Sequence, residues 1–408
     1  MEIALITPQN NSIPVQDLPV FLHANEFVLK PFDERIISFF DHFSKNILSN
    51  KEINRIPEIV ALAFWLRKAN LAKMQQENNH LLISPLYKIS PRGIVFHICP
   101  ANVDTMFIYS MAVSVLMANK NILRVSSRMN APQISSLFEL LNKTLEEFPE
   151  LKNYINVIKY DHNDDISNFI SEKSAVRVIW GGDQTIEKFK KINSSSRTKD
   201  IVFPDRISVL CVGSESYNAL SEEDENKFAQ QFYNDAYTFD QKGCSSPQSI
   251  FIIGEEESNK ICIEKMQTLL SGFIEKKYET DIASIASLKL NYIVDEAIKD
   301  NKFVVEGNNF ATFILRNADV PLLDHTCGGG VFNVYSIQKA SELKAYVIPK
   351  LQTVSYFGLS ASDFQELQNL SNGEGIDRIV PIGTALEFYY LWDGYNLFDE
   401  LSKKVFIK

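Results

Sequence analysis

From residue 93 onward, short apolar runs alternate with amphipathic stretches. The runs at 93–98, 121–125, 154–159, 176–180 and 206–212 are short enough for strands. Between and after them, 103–118, 132–147, 164–171, 183–192 and 221–237 carry apolar residues at three- and four-residue spacing, which predicts helices. Strands alternating with helices predict parallel βαβ units, hence an α/β fold with a doubly wound parallel sheet. Residues 1–90 are mixed: a strand at 1–6, helices at 33–48 and 56–73, and a connecting strand or loop at 84–90. After residue 244 a second α/β unit begins. Its pattern predicts strands at 249–253, 303–305, 312–316 and 331–335, helices at 258–277 and 339–351, and a glycine turn at 327–330. The domains so predicted are 1–237, 238–380 and a C-terminal tail, 381–408. The tail carries Phe388, Tyr389, Tyr390, Trp392, Tyr395 and Phe398, a stripe suited to core or subunit-interface packing.

In an open parallel sheet, ligands bind outside the carboxyl ends of the strands. That rule selects three loops: 99–102, 126–128 and 181–183. Loops that open helices aim backbone N–H groups outward, as a phosphate requires. Neither GxGxxG nor a P-loop is present, so a nucleotide site here is of an atypical kind.

Composition narrows the function classes. The net charge is −10, which disfavours a general nucleic-acid binder and leaves room for a local basic pocket. The longest apolar stretch, 106–118, is too short to span a bilayer and contains Ser110 and Ser114. The start, MEIALITPQNN, lacks a basic region followed by a long apolar core, so no signal peptide is expected. The five cysteines are scattered, with no CxxC pair, which points to a reducing compartment, a cytoplasmic protein, and neither a disulfide framework nor a zinc site. The six histidines show no metal-ligand spacing.

One stretch carries chemistry. In TFDQKGCSSPQ, 238–248, Cys244 stands in a polar run between a predicted helix and a strand, after Gly243 and before Pro247. A thiol there is either a nucleophile, active as thiolate at a partly open position, or a buried structural cysteine. Flanking Gln241, Lys242, Ser245 and Ser246 are not core residue types and favour an open position. His97, in an apolar strand, reads as a satisfied core histidine. His325, ahead of Cys327 and three glycines, is a lesser candidate acid or base.

Taken in order, RGIVFHICPANVDTMF, LRVSSR, RVIWGGDQTI, FPDRISVL, FDQKGCSSPQ, RIVPIGTALEF and WDGYNL resemble the aldehyde dehydrogenase superfamily. The nearer likeness is to its acyl-thioester reductase branch: the LuxC-type fatty acid reductase subunit of bacterial bioluminescence and related acyl-CoA reductases. The likeness covers about residue 90 to the C-terminus, and no single motif carries it; the order and spacing do. It implies a nicotinamide-binding domain and a catalytic domain. Cys244 falls on the catalytic cysteine and Asn102 on the asparagine of the oxyanion hole; a cap for the helix it opens is the other reading of Asn102. Arg124 falls where the superfamily usually has a lysine at the adenosine ribose, with Ser126, Ser127 and Arg128 in the loop around it. Trp180, Gly181 and Gly182 fall on the turn under the phosphates and nicotinamide; for the two glycines an ordinary tight turn is the other reading.

Two departures sharpen the expectation. The glutamate that activates water in hydrolytic aldehyde dehydrogenases is replaced by Val202, which cannot act as a base. The E-x-F-G-P segment that holds the nicotinamide ribose is not evident. Arg124 and Arg128, with no carboxylate between them, favour NADPH over NADH, because arginines accommodate a 2′-phosphate; a solvated surface charge is the other reading of Arg128. The resemblance thus implies reduction of an acyl thioester, on CoA or a carrier protein, to an aldehyde through a cysteine acyl-enzyme. It also implies a homo-oligomer and leaves room for an acyltransferase or acyl-protein synthetase partner. The competing readings are an oxidative, CoA-acylating aldehyde dehydrogenase and a non-catalytic binding subunit of the same fold.

Overall fold

The computed structural model describes residues 1–408 except 101–104, 127–128, 130, 300–302, 318, 323 and 325. The chain divides into two compact units, Met1–Asp205 with Phe388–Lys408, and Arg206–Glu387. The boundary falls at Asp205/Arg206 rather than after residue 237, because the strand that follows Arg206 belongs to the second sheet.

In the first unit the strands are β1 (Glu2–Thr7), β2 (Asn11–Pro14), β3 (Tyr87–Pro91), β4 (Ile94–Ile98), β5 (Lys120–Val125), β6 (Ile155–Lys159), β7 (Val176–Trp180) and β8 (Lys199–Phe203). All but β3 form one sheet in the order β2-β1-β6-β5-β4-β7-β8. The pairs β4–β5, β5–β6, β4–β7 and β7–β8 are parallel, while β1 runs antiparallel to β2 and β6. Every residue of β4 is buried, as a central strand covered by helices on both faces requires. The apolar stretch at 106–118 becomes the helix Met106–Leu116, wholly buried. Among the described residues no helix is long and apolar enough to cross a membrane.

Local chemistry sets the helix ends. Asp33 caps Glu34–Ser49 by accepting from the Arg35 N–H, and Pro132 occupies the first turn of Pro132–Glu147. The single helix expected at 56–73 is two, Pro57–Trp65 and Lys68–Glu77. The break falls at Arg67, whose backbone is extended, and Asp41 accepts the Lys68 N–H at 2.9 Å. The edge strand β8 is an element that the sequence pattern did not bring out. Its polar residues are paired at the edge: Arg177 donates to both Asp200 carboxylate oxygens, at 2.7 and 2.6 Å, and Lys199 pairs with Glu400.

The aromatic tail is core to this unit. Phe388, Tyr390, Trp392 and Phe398 are buried in the same cluster as Trp65, Tyr109 and Trp180. Ring centroids lie 5.3 Å apart for Tyr109–Phe388 and 5.8 Å for Tyr109–Trp392. Residues Ser402–Phe406 then pair antiparallel with β3.

His97, in β4, is fully buried in a closed polar string. Its Nε2 lies 2.9 Å from Asn121 Oδ1, and its Nδ1 lies 2.7 Å from Ser110 Oγ, which also accepts from Trp180 Nε1 at 2.9 Å. The Asn121 amide nitrogen already donates to the Asn119 and Tyr154 carbonyls. Asn121 Oδ1 therefore accepts, so the proton sits on His97 Nε2 and the Ser110 hydroxyl donates to Nδ1. Burial pushes the imidazole down to about 4 from 6.5. The unfolded chain takes up this proton below pH 6.5 and the folded one does not. The stabilising contribution is thus complete above 6.5 and lost as pH falls toward 4. Between pH 7 and 5 it should fall by about 2 kcal/mol. Urea unfolding of wild type and His97→Gln at both pH values checks this: the variant should lose about that much less, and an equal loss in both would refute the assignment.

The second unit carries β9 (Ile207–Gly213), β10 (Pro247–Ile253), β11 (Phe303–Gly307), β12 (Thr312–Arg316), β13 (Val331–Ile337), β14 (Leu351–Phe357) and β15 (Arg378–Pro381). Their order is β11-β12-β13-β10-β9-β14-β15, parallel except for β11–β12. The helix expected at 339–351 is a short 3₁₀ segment, Ala340–Tyr346, followed by β14. Pro349 cannot continue a helix, and the β-branched and aromatic residues after it favour a strand. Helices Ile282–Ile298 and Ala361–Leu370 are further elements that the sequence pattern did not bring out.

Candidate functional site

In the first sheet, β4 leads to β5 and β6 on one side and the chain then crosses to β7 on the other. The order reverses at β4, which opens a crevice at the carboxyl ends of β4 and β7. Asn102, Ser127 and Arg128 lie outside the described residues, as does His325 in the second unit. Arg124 is half-buried at the end of β5, its guanidinium 4.9 Å from the centroid of the Tyr160 ring. Its Nε is buried and meets no hydrogen-bond partner among the described residues. A cation with an unmet donor at that strand end suits a phosphate-bearing ribose. Ser126 follows β5 at once, and its carbonyl accepts the Met129 N–H at 3.1 Å.

The third loop is different. Trp180 is buried, its ring stacked 3.7 Å from Phe203 and its Nε1 bonded to Ser110, so its side chain serves the core. Gly181 and Gly182 open the helix Asp183–Lys191. A Cβ on Gly182 would stand 2.7 Å from Asp205 Oδ2, which gives glycine a packing reason at this position. The carboxylates of Asp183 and Asp205 flank the positive end of that helix, where an incoming phosphate would meet like charge.

In the second unit Cys244 lies on the turn before β10, at the amino ends of β9, β10 and β14 rather than the carboxyl ends. The turn is closed by the Ser246 N–H donating to the Gly243 carbonyl at 2.9 Å. The polar neighbours that suggested an open position are themselves buried: Gln241, Ser245 and Ser246 are all under 4% exposed, whereas Lys242 is exposed and Cys244 half-buried. Specific hydrogen bonds make this burial tolerable. Ser208 Oγ donates to the Cys244 carbonyl at 2.6 Å, and Ser245 Oγ donates to Gln352 Oε1 at 2.8 Å. Gln241 Nε2 donates to the carbonyls of Pro247 and Val331, and its Oε1 accepts the Gly330 N–H at 2.8 Å. Gln241 takes a φ of +59°, unusual for a residue with a side chain, and three side-chain bonds hold it there. Sequence reasoning singled out Cys244 and missed this support, because Ser208, Gln352 and Gly330 approach it only through the fold.

The other cysteines are less suited to attack. Cys99, Cys211 and Cys262 are buried, and burial pushes the thiols of Cys211 and Cys262 up to about 12 and that of Cys99 further. Cys327 is half-buried; burial raises its thiol and the Lys289 ammonium opposes the rise. No group of His, Cys, Asp and Glu side chains suited to a metal ion occurs among the described residues.

The model of the acyl-CoA reductase (LuxC) family matches residues 83–404. The chain belongs to that family. It is 25% identical over 174 residues to a long-chain acyl-protein thioester reductase of Aliivibrio fischeri, a match covering 41% of this chain and 33% of the relative. It is 23% identical over 301 residues to a long-chain acyl-protein thioester reductase of Vibrio harveyi, covering 72% of this chain and 59% of the relative. The chain thus spans 33% and 59% of the length of these two relatives. Its fold is that of the aldehyde dehydrogenases. An NAD-dependent aldehyde dehydrogenase from Sinorhizobium meliloti superposes with a TM-score of 0.67 at 13% identity, covering 96% of this chain and 86% of that one.

Proposed function

We propose that this LuxC family member reduces a fatty acyl thioester to the aldehyde through an acyl-enzyme on Cys244, with NADPH as reductant. The observation that carries the reading is the half-buried Cys244 on a turn pinned by buried hydrogen bonds, in a chain of the acyl-CoA reductase family. The thiolate of Cys244 attacks the acyl carbonyl, and the developing oxyanion is met by the Cys244 N–H and the Asn102 side-chain amide. One such donor typically contributes about 3–4 kcal/mol. The C–S bond to the carrier breaks, the carrier thiolate takes a proton, and the acyl group stays on Cys244. Bound nicotinamide supplies the hydride that turns this acyl group into the aldehyde. The Cys244 thiolate is released as the aldehyde forms, and the cycle closes.

Val202 supports the thioester-to-aldehyde direction. It lies in β8 opposite Ile179 of β7 and packs against the apolar cluster of which Ile179 is part, and its own side chain cannot act as a base to activate water. For the cofactor, Arg124 would hold the ribose end, together with Ser126, Ser127 and Arg128, and its unmet Nε favours the 2′-phosphate of NADPH over NADH. Trp180, Gly181 and Gly182 stay in the proposed cofactor-binding set on the family resemblance alone, with the Trp180 ring committed to Phe203 and Ser110 and only the backbone of the turn left for the cofactor. The acyl donor is CoA or a carrier protein, and the proposed assembly is a homo-oligomer able to work with an acyltransferase or acyl-protein synthetase. The proposed setting is the cytoplasm, argued from five scattered cysteines with no CxxC pair.

The test incubates the protein with acyl-CoAs labelled in the acyl group, with and without NADPH. Label should attach covalently without NADPH and leave as aldehyde when NADPH is added, faster than with NADH. Label that never attaches, or that leaves as free acid, would sink the proposal.

A further inference from the structure

The Cys244 turn is braced by a charged side chain to which the mechanism above gives no part. Arg378 opens β15, and its Nη1 donates to Ser245 Oγ at 3.1 Å and to the Ala385 carbonyl at 3.0 Å. The Ser245 hydroxyl itself donates to Gln352 Oε1 at 2.8 Å, so it is donor and acceptor at once. On the far side of Ala385, its N–H donates to Asp235 Oδ1 at 2.9 Å, and the Gly383 N–H donates to Asp235 Oδ2 at 2.7 Å. Ala385 therefore stands between a guanidinium on its carbonyl and the Asp235 carboxyl on its amide; burial pushes that carboxyl up to about 7, against the two N–H bonds and the Arg378 charge, so the fixed charge of the brace is that of Arg378.

This brace is built for rigidity. Asp235, Ser245 and Gln352 are 1%, 2% and 0% exposed, so the bonds run through a setting from which water is largely excluded. Bonds to an ionised partner are roughly twice as strong as neutral ones, and a chain of them polarises in one direction. Cys244 is held after its Cα by Ser208 on its carbonyl and by Gln352 and Arg378 on the Ser245 side chain, and before it by the Ser246 N–H on the Gly243 carbonyl. A thiol whose flanking peptides are fixed has its backbone N–H and Cα–Cβ direction fixed as well. The guanidinium also brings a positive charge to the turn on which a thiolate must form, and such a charge favours the ionised thiol.

We infer that Arg378 is a positioning residue for Cys244: it fixes the nucleophile's turn through Ser245 and favours the thiolate by its own charge. The inference rests on the acyl-enzyme reading above. It adds a role for RIVPIGTALEF, a motif that marked the family resemblance and had no assigned task.

The test measures two things on full-length protein: the pH profile of Cys244 alkylation by iodoacetamide, and the rate and KM of acyl-enzyme formation from an acyl-CoA. Arg378→Met should slow acylation by about tenfold or more at nearly unchanged KM and move the alkylation midpoint to higher pH. Arg378→Lys keeps the charge and should restore most of the midpoint. Ser245→Ala keeps Arg378 and its bond to Ala385 but breaks the link, and should slow acylation with little change in midpoint. A cooperatively folded Arg378→Met variant with wild-type midpoint and acylation rate would overturn the inference. If that variant does not fold, Ser245→Ala decides, and a wild-type acylation rate there overturns it. The alkylation profile needs no thioester, so a wild-type protein that takes no acyl label refutes the reductase reading while the profile still tests Arg378.

Discussion

Cys244→Ala is expected to abolish covalent acylation and aldehyde formation, a loss of about 10⁴-fold or more, since no other group on the turn replaces the attacking sulfur. The fold should hardly notice. The side chain is half-buried, and what pins the turn is the Cys244 carbonyl and the neighbouring serine, both of which the variant keeps. Unfolding should shift by less than about 1 kcal/mol. Intact mass after exposure to an acyl-CoA reads the result directly: one acyl group on wild type and none on the variant. The competing thiol is Cys327, half-buried and beside Lys289. A variant that carried one acyl group at the wild-type rate would move the nucleophile away from Cys244. Cys244→Ser sharpens the comparison, because it keeps the shape and removes the readily ionised sulfur.

Gly330→Ala should destabilise the second unit by about 3 kcal/mol or more and disturb the cysteine turn with it. Gly330 has φ +80°, and a Cβ there would stand 2.2 Å from the Phe310 carbonyl oxygen and 2.8 Å from the Tyr237 hydroxyl. Neither can yield cheaply, because the Tyr237 hydroxyl donates to that same carbonyl at 2.6 Å and the Thr312 N–H donates to the Gly330 carbonyl at 2.8 Å. The Gly330 N–H is also the donor that meets Gln241 Oε1, so displacing it removes one of the bonds holding Gln241 at positive φ three residues before Cys244. Denaturant unfolding measures the first effect and the iodoacetamide rate at Cys244 the second. A variant that unfolds at wild-type denaturant concentration would show that the loop can shift without loss.

The alternating pattern was enough to place the central strands of the first sheet, β9, β10 and β13 of the second, and most of the helices between them, because strands buried on both faces are continuous apolar runs; β14, with Gln352, Thr353 and Ser355 in it, is interior but not such a run and was not placed. Elements at the margins were harder to read. β8 is an edge strand whose Lys199 and Asp200 are paired by side chains distant in sequence, so its residues look like loop. The nucleophile was legible for a reason that the structure partly reverses. Gln241, Ser245 and Ser246 looked exposed because they are polar, yet they are buried, Gln241 and Ser245 with side-chain partners from elsewhere in the second unit. Only tertiary structure reveals where a buried polar group finds its partner. Trp180 shows the converse: a residue aligned with a cofactor turn whose ring is committed to Phe203 and Ser110.

The placement of residues 388–408 bears on how the chain is made. Phe388, Tyr390, Trp392, Leu397, Phe398 and Leu401 complete a core whose other members lie within the first 205 residues. The second unit, by contrast, is one uninterrupted segment, Arg206–Glu387. During synthesis the second unit has all its residues available while the first still lacks part of its interior. Tyr109 and Trp180 then wait without Trp392 beside them for as long as the ribosome takes to reach it. In the order of translation, the unit that begins first is the one that can be finished last.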